Sequence, residues 1–179
     1  MQNQKTLITK EGYTTTMQEF KDLFKQLMAT TWVHNNKEYN LTNLGWSMGF
    51  NDNKSSLGKC FTSRKRIEIS KGLLIKNFDK ASKFEDTIRH EIAHAIDTEI
   101  RGRSSHDYIW KLICLSVGAE PTRVNKIRLV KPQGKYTATC NGCGAISQAY
   151  RKPKITRSCG SCSKGSFNVK YVMYYKQNY

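Results

Sequence analysis

The chain of 179 residues has few acidic side chains and no long apolar stretch. Because a membrane-spanning helix needs about 20 mostly apolar residues, none is expected, and we predict no membrane association. The first residues, Met1-Gln-Asn-Gln-Lys, hold no apolar core, so we expect no secretion signal. Only 14 Asp and Glu residues stand against 30 Lys and Arg, a formal net charge of +16. Such a surplus favours a polyanionic partner, either nucleic acid or an acidic membrane surface, and of the two we expect nucleic acid.

Most of the surplus positive charge lies in the last third of the chain. Residues 1–119 carry 18 Lys/Arg against 13 Asp/Glu, whereas residues 120–179 carry 12 Lys/Arg against Glu120 alone. This predicts a basic module attached to a more balanced body. Its candidate nucleic-acid contacts are Arg151, Lys152, Lys154 and Arg157, with neighbouring aromatics that could stack on unpaired bases. The alternative is that these aromatics fill a small core and the charge is only a solvated face.

Four of the six cysteines form two C-x-x-C pairs, which favours metal ligation over disulfide bonding. Cys140 and Cys143 precede a spacer of fifteen residues, which is followed by Cys159 and Cys162. Each pair sits in a glycine-containing turn, where backbone amides can face the thiolates. This spacing predicts a structural zinc site in a reducing compartment. The two other cysteines, Cys60 and Cys114, are expected to be small core residues without a disulfide.

The stretch His90-Glu-Ile-Ala-His94 is an H-E-x-x-H pattern inside a predicted helix. Two histidines four residues apart project from one side of a helix, and can bind one zinc ion. Glu91 between them can accept a proton from a water molecule at that metal, as a general base does. The alternative is a helix with two surface histidines and a salt-bridging glutamate.

A third ligand is predicted just after this helix. His106 follows a helix stop at Gly102 and a short polar loop. Three protein ligands with one open position are typical of a catalytic zinc site. Asp97 and Asp107 are the competing oxygen ligands, and His106 alone could also be an ordinary surface histidine.

The periodicity of the remaining chain predicts an α+β fold, with helices around a small antiparallel sheet. A first helix is expected over residues 16–30, with a capping box of Thr16 and Glu19. The metal helix is expected over 83–101, with a capping box of Ser82 and Glu85 and an apolar face of Phe84, Ile88, Ile92, Ala95 and Ile96. The next helix, over 106–117, is expected to bury Ile109, Trp110, Leu112 and Ile113 and to stop at Gly118.

Four short strands and a division of the chain into four segments complete this prediction. Three strands are expected around residues 44–50, 58–61 and 66–70, with Ile67 and Ile69 facing inward. A fourth, the closing strand of the ribbon, is suggested by the alternation of Phe167, Val169 and Tyr171. The predicted organisation is a loose arm over 1–15, a catalytic domain over 16–119, a basic connector over 120–135, which could hold a short helix, and a zinc ribbon with a tail over 136–179.

The run from Thr87 to Ala119, with its three histidines and Trp110, resembles the SprT-like (Spartan-type) zinc metallopeptidases. Gly58-Lys-Cys60, Ile67-Glu-Ile-Ser70 and the four-cysteine ribbon extend the resemblance to roughly residues 17–170. Asp107 departs from it, since members usually have glycine after the third histidine. The resemblance implies a zincin-like α+β peptidase with zinc on His90, His94 and His106 and Glu91 as base. It also implies proteins bound to DNA as substrates and nucleic acid as activator.

We therefore expect a zinc metalloprotease that carries two Zn²⁺, one catalytic and one structural. It would cleave DNA-associated proteins, bind single-stranded or irregular DNA, and act as a monomer. We expect it in the cytoplasm, at the nucleoid if the source is a bacterium, or in the host cytoplasm if it is phage-encoded. One alternative is a non-enzymatic nucleic-acid-binding zinc protein, against which the intact Glu91 argues. Another is a zinc hydrolase acting on cell-envelope peptides, against which the missing secretion signal argues.

Overall fold

A computed structural model describes residues 16–123 and 128–179, and the chain divides into two compact units whose boundary lies between Lys131 and Pro132. The arm predicted over residues 1–15 lies outside the described residues. The boundary falls inside the predicted connector, whose described residues, 120–123 and 128–135, form no regular secondary structure. Across the residues that the structure describes, no helix combines the length and the apolar character that crossing a membrane requires.

The two units have different architectures. In chain order the first contains α1 (Met17–Ala29), β1 (Thr31–His34), β2 (Lys37–Asn40), β3 (Ser47–Asn51), β4 (Gly58–Phe61), β5 (Arg66–Ser70), α2 (Lys71–Lys76), α3 (Ala81–Arg101) and α4 (Tyr108–Ser116). The second contains β6 (Tyr136–Thr139), β7 (Ile146–Ala149) and β8 (Lys176–Gln177). The predicted α+β class is confirmed.

Helix α1 forms where the capping pattern predicts it. The Thr16 hydroxyl accepts a hydrogen bond from the Glu19 N–H at 3.2 Å, and the Glu19 carboxylate accepts one from the Thr16 N–H. These two bonds satisfy N–H groups that have no partner inside the helix. The apolar stripe then packs into the core of the first unit, where it buries Phe20, Phe24, Leu27 and Met28.

The central sheet of the first unit has three strands in the order β3–β5–β4. Strand β4 pairs antiparallel with β5, but β3 pairs parallel with it, so the prediction of an antiparallel sheet is wrong. Alternation shows which face of a strand is buried but says nothing about the direction of its neighbour. Ile67 and Ile69 are fully buried as predicted, whereas Leu44 lies in a turn before β3.

A hairpin and a short helix of the first unit were not predicted. Strands β1 and β2 form an antiparallel hairpin whose turn residues, Asn35 and Asn36, have φ angles of 51° and 60°. Asparagine tolerates this left-handed backbone, so the Asn-Asn pair was the available signal. Helix α2 is capped by Ser70, whose hydroxyl accepts a hydrogen bond from the Leu73 N–H at 3.2 Å.

Helix α3 crosses behind the sheet and carries the metal motif. It begins at Ala81 without a side-chain cap, so the predicted capping box of Ser82 and Glu85 is wrong. The reason is that a short 3-10 turn, Phe78–Lys80, leads directly into the helix and places Ser82 inside it. The predicted apolar face of α3 is fully buried. The helix ends at Gly102, whose φ of 69° is a left-handed conformation.

Helix α4 is shorter than predicted and buries a narrower face. Trp110 and Ile113 are fully buried, but Ile109 and Leu112 remain 41% and 39% exposed, which corrects the prediction for those two residues. The buried stripe instead continues through Cys114 and Val117. Positions 110, 113, 114 and 117 follow one helical face, and positions 109 and 112 lie beside it.

The second unit is an antiparallel sheet in the order β7–β6–β8 with a small core around the cysteines. The closing strand predicted around Phe167 is wrong. Val169–Tyr171 is a 3-10 turn, and Phe167 and Val169 are 59% and 77% exposed. The Tyr171 carbonyl accepts a hydrogen bond from the Cys159 N–H at 2.9 Å, so this segment supports the second cysteine turn, and β8 pairs with β6 instead.

Candidate active site and metal centres

Helix α3 places His90, Glu91 and His94 on one side of its axis. Its buried stripe fixes the rotation of the helix, because Ile88, Ile92 and Ile96 are all inaccessible to solvent. The two histidines lie at the edge of that stripe and are partly buried, and Glu91 is only 8% exposed. The imidazoles are therefore directed into a cleft and not into open solvent.

His106 completes a triad with the two helical histidines. The left-handed turn at Gly102 reverses the chain, and its N–H donates to the Thr98 carbonyl at 2.8 Å. The returning loop brings the His106 Nε2 atom to 3.2 Å from the His94 Nε2 and 3.3 Å from the His90 Nε2. Three ring nitrogens thus converge on one point, although His106 is twelve and sixteen residues from its partners along the chain.

The spacing of these nitrogens fits a tetrahedral zinc ion. Zn–N bonds of about 2.0–2.1 Å at tetrahedral angles put neighbouring ligand atoms about 3.3 Å apart. Burial lowers the pKa of His90 to about 4 and that of His94 to about 3, and it lowers the pKa of His106 as well. The three imidazoles are therefore neutral at pH 7, and neutral imidazole is the form that binds metal.

Two side chains that the sequence analysis did not assign to the site orient the triad. The His94 Nδ1 lies 2.7 Å from the Ser104 hydroxyl, so an Nδ1–H bond to that oxygen leaves Nε2 free for a metal. The Trp110 indole stacks on the His94 ring at 5.0 Å between centroids and contacts the other two imidazoles edge-on. Trp110 was predicted only as a core residue, and nothing in the sequence singles out Ser104.

Glu91 lies against strand β4, which forms the edge of the sheet. Burial raises the pKa of Glu91 to about 7, while a hydrogen bond from the Cys60 N–H and the charge of Lys59 act in the opposite direction. A Cβ atom on Gly58 would lie 2.7 Å from the Thr87 Cγ2 and 3.1 Å from the Glu91 Cγ. Glycine at position 58 therefore permits the close approach of β4 to α3 beside the candidate base.

Two cavities adjoin these residues. One of about 400 Å³ is lined by all three histidines and Glu91 together with Gly58, Lys59 and Cys60 of β4. The other, of about 360 Å³, shares His90, Glu91 and Gly58 and extends toward Thr87 and Leu129. Arg123, which the sequence analysis did not single out, lines both cavities. The candidate metal position is thus reachable by a molecule lying along the edge of the sheet.

The competing oxygen ligands are engaged elsewhere. Both carboxylate oxygens of Asp97 and both of Asp107 accept hydrogen bonds from Arg101. The Asp107 carboxylate also accepts the Trp110 N–H at 3.1 Å, and so caps α4. The hydrogen bonds from Arg101 hold the pKa of Asp107 well below its usual range. In the described residues, the group that could hold a metal here consists of His90, His94 and His106.

The four ribbon cysteines form a second group that could hold a metal ion. The sulfur atoms of Cys140 and Cys162 are 3.8 Å apart, and those of Cys143 and Cys159 are 3.7 Å apart. A tetrahedral zinc site with Zn–S bonds of about 2.3 Å places its sulfurs about 3.8 Å apart. The Gly142 N–H donates to the Cys140 sulfur at 3.3 Å, and the backbone N–H groups of Cys143 and Gly142 lower the pKa of Cys140 to about 7.

The four candidate nucleic-acid contacts are all exposed and lie on one segment between β7 and Cys159. They are Arg151, Lys152, Lys154 and Arg157. Residues 132–179 hold eight Lys and Arg residues and no Asp or Glu. Of the aromatics in this unit, Phe167, Tyr174 and Tyr179 are well exposed. Tyr171 and Tyr175 instead pack against the cysteine cluster, as the alternative interpretation expected.

These features define a zinc-metallopeptidase-like domain: a helix with an H-E-x-x-H motif, a convergent third histidine and an adjoining edge strand. Comparison with known families agrees. The profile described as the SprT-like family matches residues 20–129, more than half of the chain, and the chain belongs to this family. A search of curated proteins gives no match. A search of solved structures gives none either.

Proposed function

We propose that this protein is a zinc-dependent endopeptidase that acts on proteins associated with DNA, with Glu91 as its general base. The observation that carries the proposal is the convergence of three Nε2 atoms, 3.2 Å and 3.3 Å apart, beside a buried glutamate on the same helix. A structural site would need the three imidazoles and a fourth ligand, but would have no need of a carboxylate at position 91.

The chemistry follows from the donor set. A zinc ion on the three imidazoles would supply Lewis acidity for the scissile carbonyl and the attacking water. Glu91 then accepts a proton from that water and delivers it to the leaving amine. Burial between helix α3 and strand β4 holds the Glu91 side chain in one orientation. This orientation keeps the carboxylate beside the reacting bond.

The substrate is proposed to bind along β4. This strand lies at the edge of the sheet, and its residues 58–60 line the cavity that contains the triad. An extended peptide added to such an edge is recognised mainly through backbone hydrogen bonds, which gives little sequence preference. Broad specificity requires that cleavage be restricted in another way.

We propose that nucleic acid provides this restriction through the second unit. This unit holds only cationic charged residues, with four of them on one exposed segment. Phe167 and Tyr174 are 59% and 73% exposed, and such aromatics can stack on unpaired bases. Binding to DNA would raise the local concentration of protease around proteins on the same strand.

A cleavage assay with and without single-stranded DNA tests the proposal. The substrates are a DNA-binding protein and an unfolded protein, and the matched control is Glu91→Gln, which keeps size and shape but is a poor proton acceptor. Cleavage by the variant should fall at least about a hundredfold, the scale of a lost general base. Its zinc content and DNA affinity should remain those of the wild type.

The outcomes separate the alternatives. Near-normal cleavage by Glu91→Gln would place the base elsewhere. A wild-type protein that binds zinc and DNA but cleaves neither substrate would support a non-enzymatic nucleic-acid-binding protein. Cleavage that DNA does not stimulate would leave the peptidase assignment standing and remove nucleic acid as its activator.

A further inference from the structure

One side chain connects the metal helix to the loop that carries the third histidine. Arg101, in the last turn of α3, binds Asp97 one turn earlier and Asp107 directly after His106. We propose that Arg101 is a positioning residue, which clamps Asp107 to α3 and thereby holds His106 within reach of His90 and His94. The inference rests on the proposed binding of metal by the histidine triad, but not on proteolysis.

The contacts of Arg101 form two forks. Toward α3, its Nε and Nη2 donate to the two Asp97 oxygens at 2.6 Å and 2.7 Å. Toward the loop, its Nη1 and Nη2 donate to the two Asp107 oxygens at 2.8 Å and 3.1 Å. The planar guanidinium matches carboxylates in this paired manner, so both partners are fixed in direction as well as distance.

The loop has few other means of being held. Residues 102–106 are Gly-Arg-Ser-Ser-His and include no aliphatic side chain that could anchor the loop in the core. Ser105 joins the same network, because its N–H lies 3.4 Å from an Asp97 oxygen and its hydroxyl donates to Asp107 at 2.7 Å. The position of His106 therefore depends on this cluster together with two further contacts, the Ser104 hydroxyl at the His94 Nδ1 and the edge-on packing of His106 on Trp110.

The clamp is shielded from water at its Asp97 end. The Asp97 side chain is fully buried, and those of Arg101 and Asp107 are 16% and 39% exposed. Removing Arg101 would leave the buried Asp97 charge without its partner, and the local backbone would have to shift to resolvate it. Such a shift moves the residues next to Asp107, which include the ligand itself.

The test measures metal binding at the histidine site in the full chain. Zinc affinity is determined by competition with a chelator, and Co²⁺ substitution distinguishes the sites because thiolate ligands give intense charge-transfer absorption that imidazoles do not. Arg101→Gln is compared with wild type and with Arg89→Gln. Arg89 lies on the same helix and pairs with Glu85 at the same four-residue spacing, 2.8 Å apart, but has no contact with the loop among the described interactions.

Arg101→Gln should weaken zinc binding at the triad about tenfold or more and change the cobalt spectrum of that site only. Arg101→Lys should recover part of the affinity, since an ammonium keeps the charge but loses the fork. Arg89→Gln should bind metal as the wild type does. Should Arg101→Gln fail to fold, Asp107→Asn takes its place. It keeps an oxygen to cap α4 and should weaken the same site.

An Arg101→Gln protein with wild-type zinc affinity and an unchanged cobalt spectrum would overturn the inference, even if its thermal stability were lower. Unchanged affinity in Asp107→Asn would do the same where that variant is the one measured. If the wild-type histidine site bound neither metal, the proposed function would fail first, so the two failures are distinguishable.

Discussion

Replacing Gly58 by alanine tests whether the edge strand is seated against the metal helix as closely as the structure shows. The new Cβ would lie 2.7 Å from the Thr87 Cγ2 and 3.1 Å from the Glu91 Cγ. Contacts below 3.0 Å force movement of the groups involved, and here the neighbours are buried side chains, Thr87 and Glu91 on α3 and Ile69 on β5, whose Cδ1 would also lie 3.1 Å from the new Cβ. The strand must therefore shift away from α3, or Glu91 must move.

The expected loss in the free energy of unfolding of Gly58→Ala follows from two opposing effects. Overpacking a well-packed site costs about 1–3 kcal/mol. Alanine also restricts the unfolded chain relative to glycine, which stabilises by about 0.4–1 kcal/mol. The net destabilisation should be about 1–2 kcal/mol. Peptidase activity should fall as well, because the cavity lined by β4 and Glu91 changes shape, while the three histidine ligands are untouched.

A double-mutant cycle isolates the contact. Thr87→Ser removes the Cγ2 methyl group but keeps the hydroxyl that donates to the Lys83 carbonyl at 2.9 Å. Alone it should cost about 1 kcal/mol for the lost methyl group. The double variant Gly58→Ala and Thr87→Ser should be about 1 kcal/mol more stable than the sum of the two single changes predicts, because the methyl group is the nearest neighbour of the new Cβ.

Tryptophan fluorescence reports this unfolding selectively, because Trp32, Trp46 and Trp110 all belong to the first unit. Gly49→Ala is the matched control in the same sheet. The nearest atoms to its Cβ belong to the end of the Arg66 side chain, which is 36% exposed and can move at little cost. A Gly58→Ala protein as stable as the wild type, or a cycle with no coupling, would refute the packing argument.

Three further predictions address the metals and the basic unit. Elemental analysis should find two zinc ions per chain. The double change Cys140→Ser and Cys143→Ser should reduce the zinc content to about one per chain and unfold the second unit, because such small modules depend on their metal. An unchanged zinc content would contradict the ribbon assignment. His106→Ala should lose metal from the triad and abolish cleavage, whereas an active, zinc-loaded variant would make the third ligand wrong. Reversing the charges of Arg151, Lys152 and Lys154 should weaken binding of single-stranded DNA and make the slope of log K against log salt shallower by about 2. Anisotropy at several salt concentrations measures both, and basal cleavage of an unfolded protein should stay intact. Salt-independent binding, or full stimulation by DNA in that variant, would contradict recruitment through this unit.

The predictions that the structure supports were those based on the spacing of residues close together in the chain. The face shared by His90 and His94 depends only on the helical repeat, which the buried stripe of α3 also follows. Each cysteine pair lies in a tight turn that local hydrogen bonds close, although the two turns meet only in the folded chain. The capping box at Thr16 is another such case. Where a neighbouring element intervened, as the 3-10 turn before Ala81 did, local spacing misled.

Contacts between distant segments were beyond the reach of sequence patterns. The parallel direction of β3 and the depth at which Gly58 approaches Glu91 arise from how strands and helix pack, and no periodicity encodes either. The choice among His106, Asp97 and Asp107 as third ligand stayed open in the sequence, because all three types can bind zinc. The fold separates them: Arg101 engages both carboxylates, and the loop after Gly102 brings the imidazole nitrogen to its two partners. The sequence by itself thus determined which residues could carry the chemistry, and the tertiary structure decided which of them meet, since that depends on a chain reversal and an ion-pair network that form only in the folded state.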